Sequence, residues 1–187
     1  MLSELQQEKI AHYFNVVLDQ DRNGLLEEKD FVDIGESLCI LWRFEPSTEE
    51  YDRVMNQCRA SWKMFENYFS KQEGAADVNQ FLKFSEKMLT EESDEMYQKF
   101  VVRVVSDVFD SFDLNEDGVI SINEYVEMFM CYNIPVKYSA KAFLKLDRNG
   151  DNQVSKEELL QAVDEFFKSD DESSPGNWLF GFWGDRD

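Results

Sequence analysis

The sequence has little of what builds a disulfide scaffold, a nucleic-acid surface or a membrane span. Its three cysteines, Cys39, Cys58 and Cys131, are odd in number and widely spaced, which argues against a disulfide framework or zinc site and suits a reducing compartment. The chain has only 19 basic residues against 39 acidic ones, and its net charge of −20 would repel nucleic acid and anionic membranes. No apolar run approaches about 18 residues, so we expect no membrane span.

Targeting and catalytic motifs are also missing. The first residues, MLSELQQEKI, lack the basic and apolar regions of a signal peptide, and Leu2 stands where myristoylation needs glycine. We therefore expect a cytoplasmic protein. His12 is the only histidine, and no HExxH, GxSxG or GxGxxG motif accompanies it, so we expect no enzyme and place His12 at the edge of the core.

What the sequence does contain is a repeat of twelve residues. DQDRNGLLEEKD starts at Asp19, DLNEDGVISINE at Asp113 and DRNGDNQVSKEE at Asp147. Each stretch has oxygen-bearing side chains at positions 1, 3 and 5, an aliphatic residue at position 8 and a carboxylate at position 12. Residues with helical hydrophobic spacing flank each stretch, and alternating strand patterns are absent. The pattern predicts an all-α chain of helix–loop–helix units.

This spacing is that of the EF-hand calcium loop. Calcium takes six to eight oxygen ligands, which come from positions 1, 3, 5, 7, 9 and 12, with a backbone carbonyl at position 7. The predicted ligands are Asp19, Asp21, Asn23, Leu25, Glu27 and Asp30 in the first loop, Asp113, Asn115, Asp117, Val119, Ser121 and Glu124 in the third, and Asp147, Asn149, Asp151, Gln153, Ser155 and Glu158 in the fourth.

Two loops depart from the pattern. Position 6 needs positive φ and is usually glycine, but the fourth loop has Asn152, which tolerates that region well enough to turn. Position 12 of the first loop is Asp30, one methylene shorter than glutamate, so binding an ion through both of its oxygens is harder. Fewer ligands favour the octahedral geometry of magnesium, and we expect the first site to accept Mg²⁺ better than the others.

The gap of 94 residues between the starts of the first two metal loops predicts a second unit without a metal. Helices over about residues 47–69 and 79–89 would flank the segment SKQEGAADVNQ. If the glycine of this segment takes position 6, positions 1 and 12 are Phe69 and Gln80; if Val78 takes position 8, they are Lys71 and Leu82. Neither register supplies a carboxylate at both ends.

Four such units, a degenerate second site and a tail with the pattern Asn-x-Leu-Phe-Gly (Asn177 to Gly181) resemble the invertebrate sarcoplasmic calcium-binding proteins and the related calexcitins. Aspartate at position 12 of the first loop also resembles that family. The resemblance implies a compact cytosolic Ca²⁺/Mg²⁺ buffer with four EF-hand units in two packed pairs. We accordingly expect an N-terminal pair over 1–90, a C-terminal pair over 91–170 and a tail over 171–187.

The tail GNWLFGFWGD ends an acidic chain in an aromatic stretch, since four of the six residues from Trp178 to Trp183 are aromatic. In the resembling family the C-terminal segment packs into the protein's own interior, so we expect Trp178 to Phe180 to be buried. Gly176 and Gly181 would permit the bends, while residues 182–183 could be buried or exposed.

Two other functions stay open. A calcium sensor would expose an apolar surface to a target protein, although no target is indicated and we expect a monomer. A small-ligand protein of the luciferin type, released by calcium, is the other, because the same metal pattern resembles the coelenterazine-binding proteins and the calcium-regulated photoproteins. A photoprotein would use several histidines, and this chain has only His12 and ends in Asp187 rather than proline.

Overall fold

Eight α-helices and two small antiparallel sheets make up the part of the chain that the computed structural model describes, residues 1–66, 75–90, 94–113 and 115–184. The helices are α1 (Glu4–Tyr13), α2 (Glu28–Trp42), α3 (Glu49–Glu66), α4 (Val78–Thr90), α5 (Asp94–Phe112), α6 (Ile122–Cys131), α7 (Ser139–Leu146) and α8 (Lys156–Lys168). The strands are β1 (Leu25–Leu26), β2 (Ala76–Asp77), β3 (Val119–Ser121) and β4 (Gln153–Ser155). The predicted all-α, helix–loop–helix architecture is confirmed.

The ends of the loops are also the starts of the following helices. Ser121 accepts a hydrogen bond from the backbone of Glu124, and the Glu124 carboxylate accepts one from the backbone of Ser121. Ser155 and Glu158 form the same reciprocal cap at the start of α8. Loop positions 9 and 12 therefore fix the direction in which each helix leaves the loop.

Strand pairing fixes the register of the second loop. Ile120 pairs with Val154 in the sheet of β3 and β4, and both occupy position 8 of their loops. Leu26, at position 8 of the first loop, pairs with Ala76, so Ala76 takes position 8 and Gln80 takes position 12. The alternative register is wrong, because Val78 is already the first residue of α4. Phe69 lies outside the described residues, as do residues 67–68 of the helix predicted over 47–69.

One continuous hydrophobic core receives side chains from all eight helices. Aromatic rings connect its two halves: the Phe100 ring centroid lies 6.5 Å from that of Phe65 in α3 and 5.2 Å from that of Phe167 in α8. Because the core is continuous, the division of the chain at residues 90 and 170 stays a prediction.

The C-terminal tail is docked on this core, as predicted. A 3₁₀ turn (Pro175–Trp178) runs against α7 and α8, and Leu179 and Phe180 are buried behind it. The Phe180 ring lies 4.7 Å from Tyr13 and 5.1 Å from Phe166, measured between centroids. Trp178 is only half-buried, because its ring forms part of the surface and lies 4.0 Å beneath the ammonium of Lys141.

The two tail glycines serve different purposes. Gly181 has φ +83°, so it makes the predicted bend. Gly176 does not have a positive φ, so the role in bending predicted for it was wrong. Instead it lets the tail backbone pack closely against α8, since a Cβ atom there would lie 2.5 Å from the carbonyl oxygen of Ala162. Residues 182–183 are half-buried, and Phe182 stacks on Trp178 at 5.2 Å.

Among the described residues, no helix is both long enough and apolar enough to cross a membrane.

Candidate metal sites

The first aspartate of each predicted metal loop organises the loop backbone. Asp19 accepts hydrogen bonds from the N–H groups at positions 5 and 6, Asn23 at 3.1 Å and Gly24 at 2.9 Å. Asp113 accepts from Asp117 at 3.0 Å and Gly118 at 2.9 Å, and Asp147 accepts from Asp151 at 3.1 Å and Asn152 at 2.9 Å. Each carboxylate oxygen still has a lone pair for a cation, so these bonds are compatible with metal binding.

In the first loop three carboxylates converge. One oxygen each from Asp19, Asp21 and Asp30 lies within 4.8 Å of the others. Asp30 is buried, and its two oxygens accept backbone hydrogen bonds from Gln20 at 3.0 Å and Glu27 at 2.8 Å. Burial raises the pKa of Asp30, and the Asp21 and Asp19 charges raise it further, against the opposing effect of the two hydrogen bonds. A divalent cation would relieve this repulsion.

In the third loop the carboxylate at position 12 is buried, as it is in the first, although the described carboxylates of this loop do not converge within 4.8 Å. Glu124 is buried at the start of α6, and Asn115 and Asp117 face solvent at positions 3 and 5. The Asn115 amide nitrogen donates to Asp117 Oδ2 at 2.7 Å, which keeps these two predicted ligands together. Leu114 lies outside the described residues.

The fourth loop closes around Glu158. Its Oε1 accepts from the backbone N–H of Arg148 at 2.9 Å and its Oε2 from that of Ser155 at 2.9 Å. Burial alone would raise the pKa of Glu158, but these hydrogen bonds outweigh burial and lower it. The carboxylate is therefore held in its charged form across the base of the loop, which is the form that binds a cation.

Position 6 of the fourth loop turns without glycine. Asn152 has φ +64°, close to the +83° of Gly118 in the third loop, so the predicted tolerance of asparagine there is confirmed.

In the described part of the second loop, the cap at the start of α4 is kept but position 12 carries no charge. Asp77 and Gln80 exchange hydrogen bonds, each side chain accepting from the other's backbone N–H at 2.8 Å. This is the reciprocal cap of the metal loops, with a neutral amide at position 12. The predicted absence of a carboxylate there follows directly from the register that strand pairing imposes.

The sequence did not reveal how the tail is anchored. Lys9 is fully buried, and its ammonium donates to the carbonyl oxygens of Glu165 at 3.3 Å and Ser169 at 2.8 Å and to Asn177 Oδ1 at 2.8 Å. Burial lowers the pKa of Lys9 to about 8, partly offset by the Asp170 and Glu165 charges, so it remains charged at neutral pH. A lysine amid polar residues on α1 gives no sign of such burial.

Two more side chains hold the tail backbone. His12 Nε2 lies 2.9 Å from the carbonyl oxygen of Phe180, and the Tyr125 hydroxyl donates to the carbonyl oxygen of Leu179 at 2.8 Å. His12 is half-buried, which confirms its predicted place at the edge of the core. Burial lowers the pKa of His12, against the raising effect of its contact with Phe180.

Comparison with known proteins agrees with this geometry. A family model described as EF hand matches residues 105–130 and 140–163, which contain the third and fourth loops. Calerythrin of Saccharopolyspora erythraea is 26% identical over 153 residues, which cover 79% of this chain and 84% of calerythrin.

Solved structures share the fold at low sequence identity. A sarcoplasmic calcium-binding protein from amphioxus superposes with a TM-score of 0.74 at 15% identity, covering 97% of this chain and 98% of its own. The coelenterazine-binding protein of Renilla muelleri, in its calcium-loaded apo form, gives a TM-score of 0.72 at 16% identity, covering 96% and 99%. The arrangement of helices is therefore that of compact four-unit EF-hand proteins.

Proposed function

We propose that this chain, as an EF-hand calcium-binding protein of the sarcoplasmic calcium-binding type, acts mainly as a Ca²⁺/Mg²⁺ buffer with three metal sites. It works as a monomer in the cytoplasm and has no enzymatic activity. The three sites are the first, third and fourth loops, with the ligands predicted from the sequence.

The loop geometry supports three sites rather than four. Each of the three loops has an aspartate at position 1 that organises the backbone and a buried carboxylate at position 12. The second loop has Gln80 at position 12. Three Ca²⁺ ions would change the net charge from −20 to −14, so binding also relieves general repulsion in the chain.

The docked tail is the observation that favours a buffer over a sensor. A sensor opens on calcium binding and offers an apolar groove to a target helix. Here Leu179 and Phe180 already occupy the interior, and hydrogen bonds from Tyr125 and His12 hold their backbone in place. The protein's own tail thus covers surface that a sensor would present to a target.

The first site is the one we assign to mixed Ca²⁺/Mg²⁺ use. Its position-12 residue, Asp30, is short, and Asp19, Asp21 and Asp30 already converge within 4.8 Å. Such a tight set of single-oxygen ligands suits the smaller, octahedral Mg²⁺ ion.

Calcium-dependent retention on phenyl-agarose tests the choice between buffer and sensor, since retention requires an exposed apolar surface. We expect the full-length chain to pass through with or without Ca²⁺, and a chain cut after Asp171 to be retained. A chain cut after Trp183 is the matched control, since it keeps every described aromatic of the tail and should behave like the full-length protein. Retention of the full-length chain in Ca²⁺, with release by EGTA, would establish a sensor instead.

A further inference from the structure

A large cavity, open to solvent on one side, extends into the core beside the docked tail. It has a volume of about 720 Å³ and lies between α2, α3 and α5, with Tyr13 and Phe180 at its inner end. Small-molecule sites in proteins have volumes of roughly 300–1,000 Å³. At about 30 Å³ per molecule, water would need about 24 molecules to fill this space.

The walls of the cavity are poorly suited to that water. Aromatic rings from four parts of the fold form much of the lining: Phe31, Phe65, Phe100, Phe109 and Phe180. Phe31 and Phe65 lie 5.6 Å apart between centroids, at an interplanar angle of 42°, so the rings are inclined rather than stacked. Such rings offer edges and faces to a further aromatic ring and few hydrogen bonds to water.

One region of the wall is polar. The Asp107 carboxylate on α5 receives hydrogen bonds from Arg103 at 3.0 Å, Ser61 at 3.3 Å and Gln57 at 3.3 Å. All four residues line the cavity. The charges of Arg103 and Asp107 cancel within this cluster, so it presents dipoles rather than an uncompensated charge.

Two tyrosines complete the polar region and lack partners. Tyr13 and Tyr132 line the cavity, and neither hydroxyl forms a hydrogen bond with another residue in the described part of the chain. Burial raises the pKa of both hydroxyls, and the Asp107 charge raises each further, which places both groups within electrostatic reach of that carboxylate. Tyr13 is 5% exposed, and an oxygen of a ligand in the cavity would give its hydroxyl a hydrogen-bond partner.

We propose that this cavity binds one uncharged aromatic small molecule that carries a hydroxyl or carbonyl group. The aromatic body would pack among the phenylalanine rings, and the polar group would exchange hydrogen bonds with Tyr13 and Tyr132. An anion is disfavoured by the net charge of −20, and a cation by the commitment of Asp107 to Arg103. The exposed residues Glu116, Gly118 and Lys156 line the opening, beside the third loop.

Binding of N-phenyl-1-naphthylamine, an uncharged fluorescent probe, tests the cavity itself. The calcium-loaded full-length protein should bind one molecule, with a dissociation constant of roughly 1 to 100 μM. Val104→Trp, in the α5 wall, should weaken binding at least tenfold by filling the space. Val78→Trp is the matched control, since Val78 is equally half-buried but lies outside the cavity wall, and it should leave binding unchanged.

Val54→Trp on α3 provides a second filling variant if Val104→Trp does not fold, as judged by circular dichroism. Failure of the wild-type chain to bind the probe saturably would overturn the proposal. So would full binding by a folded variant of either wall residue.

Recognition of the polar group is tested with the 4-hydroxy derivative of the same probe. The wild-type protein should bind the derivative about tenfold tighter than the parent, because the added hydroxyl pairs with the tyrosines. Tyr13→Phe and Tyr132→Phe, singly and together, should remove this preference. Tyr97→Phe is the control, since Tyr97 is buried outside the cavity. An unchanged preference in the double variant would contradict the assigned role of the hydroxyls.

Discussion

The two loop pairs of this protein share their strand pairing and helix caps in the described residues but differ in charge at position 12. In the C-terminal pair, β3 and β4 join through three residue pairs, and both loops end on a buried glutamate. In the N-terminal pair, β1 and β2 join through two residue pairs, and the second loop ends on Gln80. The Asp77–Gln80 cap nevertheless repeats the Ser121–Glu124 cap.

The comparison separates two roles of position 12. The side chain accepts the N–H of position 9, which orients the following helix, and in a metal loop it also closes the ion's coordination. An amide oxygen performs the first role as well as a carboxylate does. The second loop can therefore keep its helix cap, and its strand pairing with the first loop, without an ion.

The largest effect is expected from metal removal, which should destabilise the two loop pairs to different extents. In the proposed three-site protein, two ions would stabilise the C-terminal pair and one the N-terminal pair, and each would contribute about 2.7 kcal/mol at 100 times its dissociation constant. In EDTA we therefore expect a loss of about 5 kcal/mol for the C-terminal pair and about half of that for the N-terminal pair.

Hydrogen exchange measured by mass spectrometry, with and without Ca²⁺, resolves the two pairs within the intact chain. Faster exchange in EDTA should be most marked over residues 105–163. Equal acceleration over residues 14–42 would contradict the assignment of two ions to one pair and one to the other.

The second largest effect is expected from exchanging the residues at position 12 between the two kinds of loop. Glu124→Gln and Glu158→Gln each make a metal loop resemble the second loop at this position, and we expect each to lose calcium affinity at its own site by roughly 100-fold. Helix content should persist, because glutamine preserves the cap. Calcium titration by calorimetry measures both the number of sites and their affinities.

The reverse exchange, Gln80→Glu, is the matched control and should create no fourth site, since position 1 of that register is Phe69. A fourth calcium ion bound by this variant would show that position 12 alone decides occupancy. If Glu124→Gln still bound three calcium ions tightly, the residue at position 12 would have no influence on whether a loop binds an ion.

The sequence predicts features that depend on residues close together in the chain and misses features that depend on distant ones. The three candidate metal loops could be located from the sequence because their oxygen-bearing residues lie within twelve consecutive positions. The second loop had two registers from sequence alone, and only the pairing of Leu26 with Ala76 distinguishes them. Lys9 was not predictable, since its acceptors Ser169 and Asn177 are about 160 residues away in the chain.

The cavity could not be predicted from the sequence, for a related reason. Much of its wall is ordinary apolar helix surface in the sequence, and helical periodicity predicts which helix faces point inward but not how closely those faces pack together. Burial of the tail was predicted from family resemblance. The position of its Phe180 ring against Tyr13 depends on α1, which lies at the opposite end of the chain.

A smaller effect is expected from Asp30→Glu in the first loop. The longer side chain can offer both oxygens, so the ratio of Ca²⁺ to Mg²⁺ affinity at that site should rise about tenfold, or about 1.4 kcal/mol. Glu158→Asp, the opposite change in the fourth loop, should lower the ratio there. Competition titrations of Ca²⁺ against Mg²⁺ measure both, and an unchanged preference in Asp30→Glu would refute the assignment of the first site to mixed use.

The smallest effect we expect distinguishes the two loops of the C-terminal pair. Asn152 and Gly118 hold the same left-handed position, and a non-glycine residue there carries some strain. Asn152→Gly should relieve it, although the freer unfolded chain offsets part of the gain, so we expect about 0.5 kcal/mol of added stability. Gly118→Asn should cost the third loop a similar amount. Urea unfolding in excess Ca²⁺ measures both, and destabilisation by Asn152→Gly would mean that the asparagine side chain stabilises the loop in its own right.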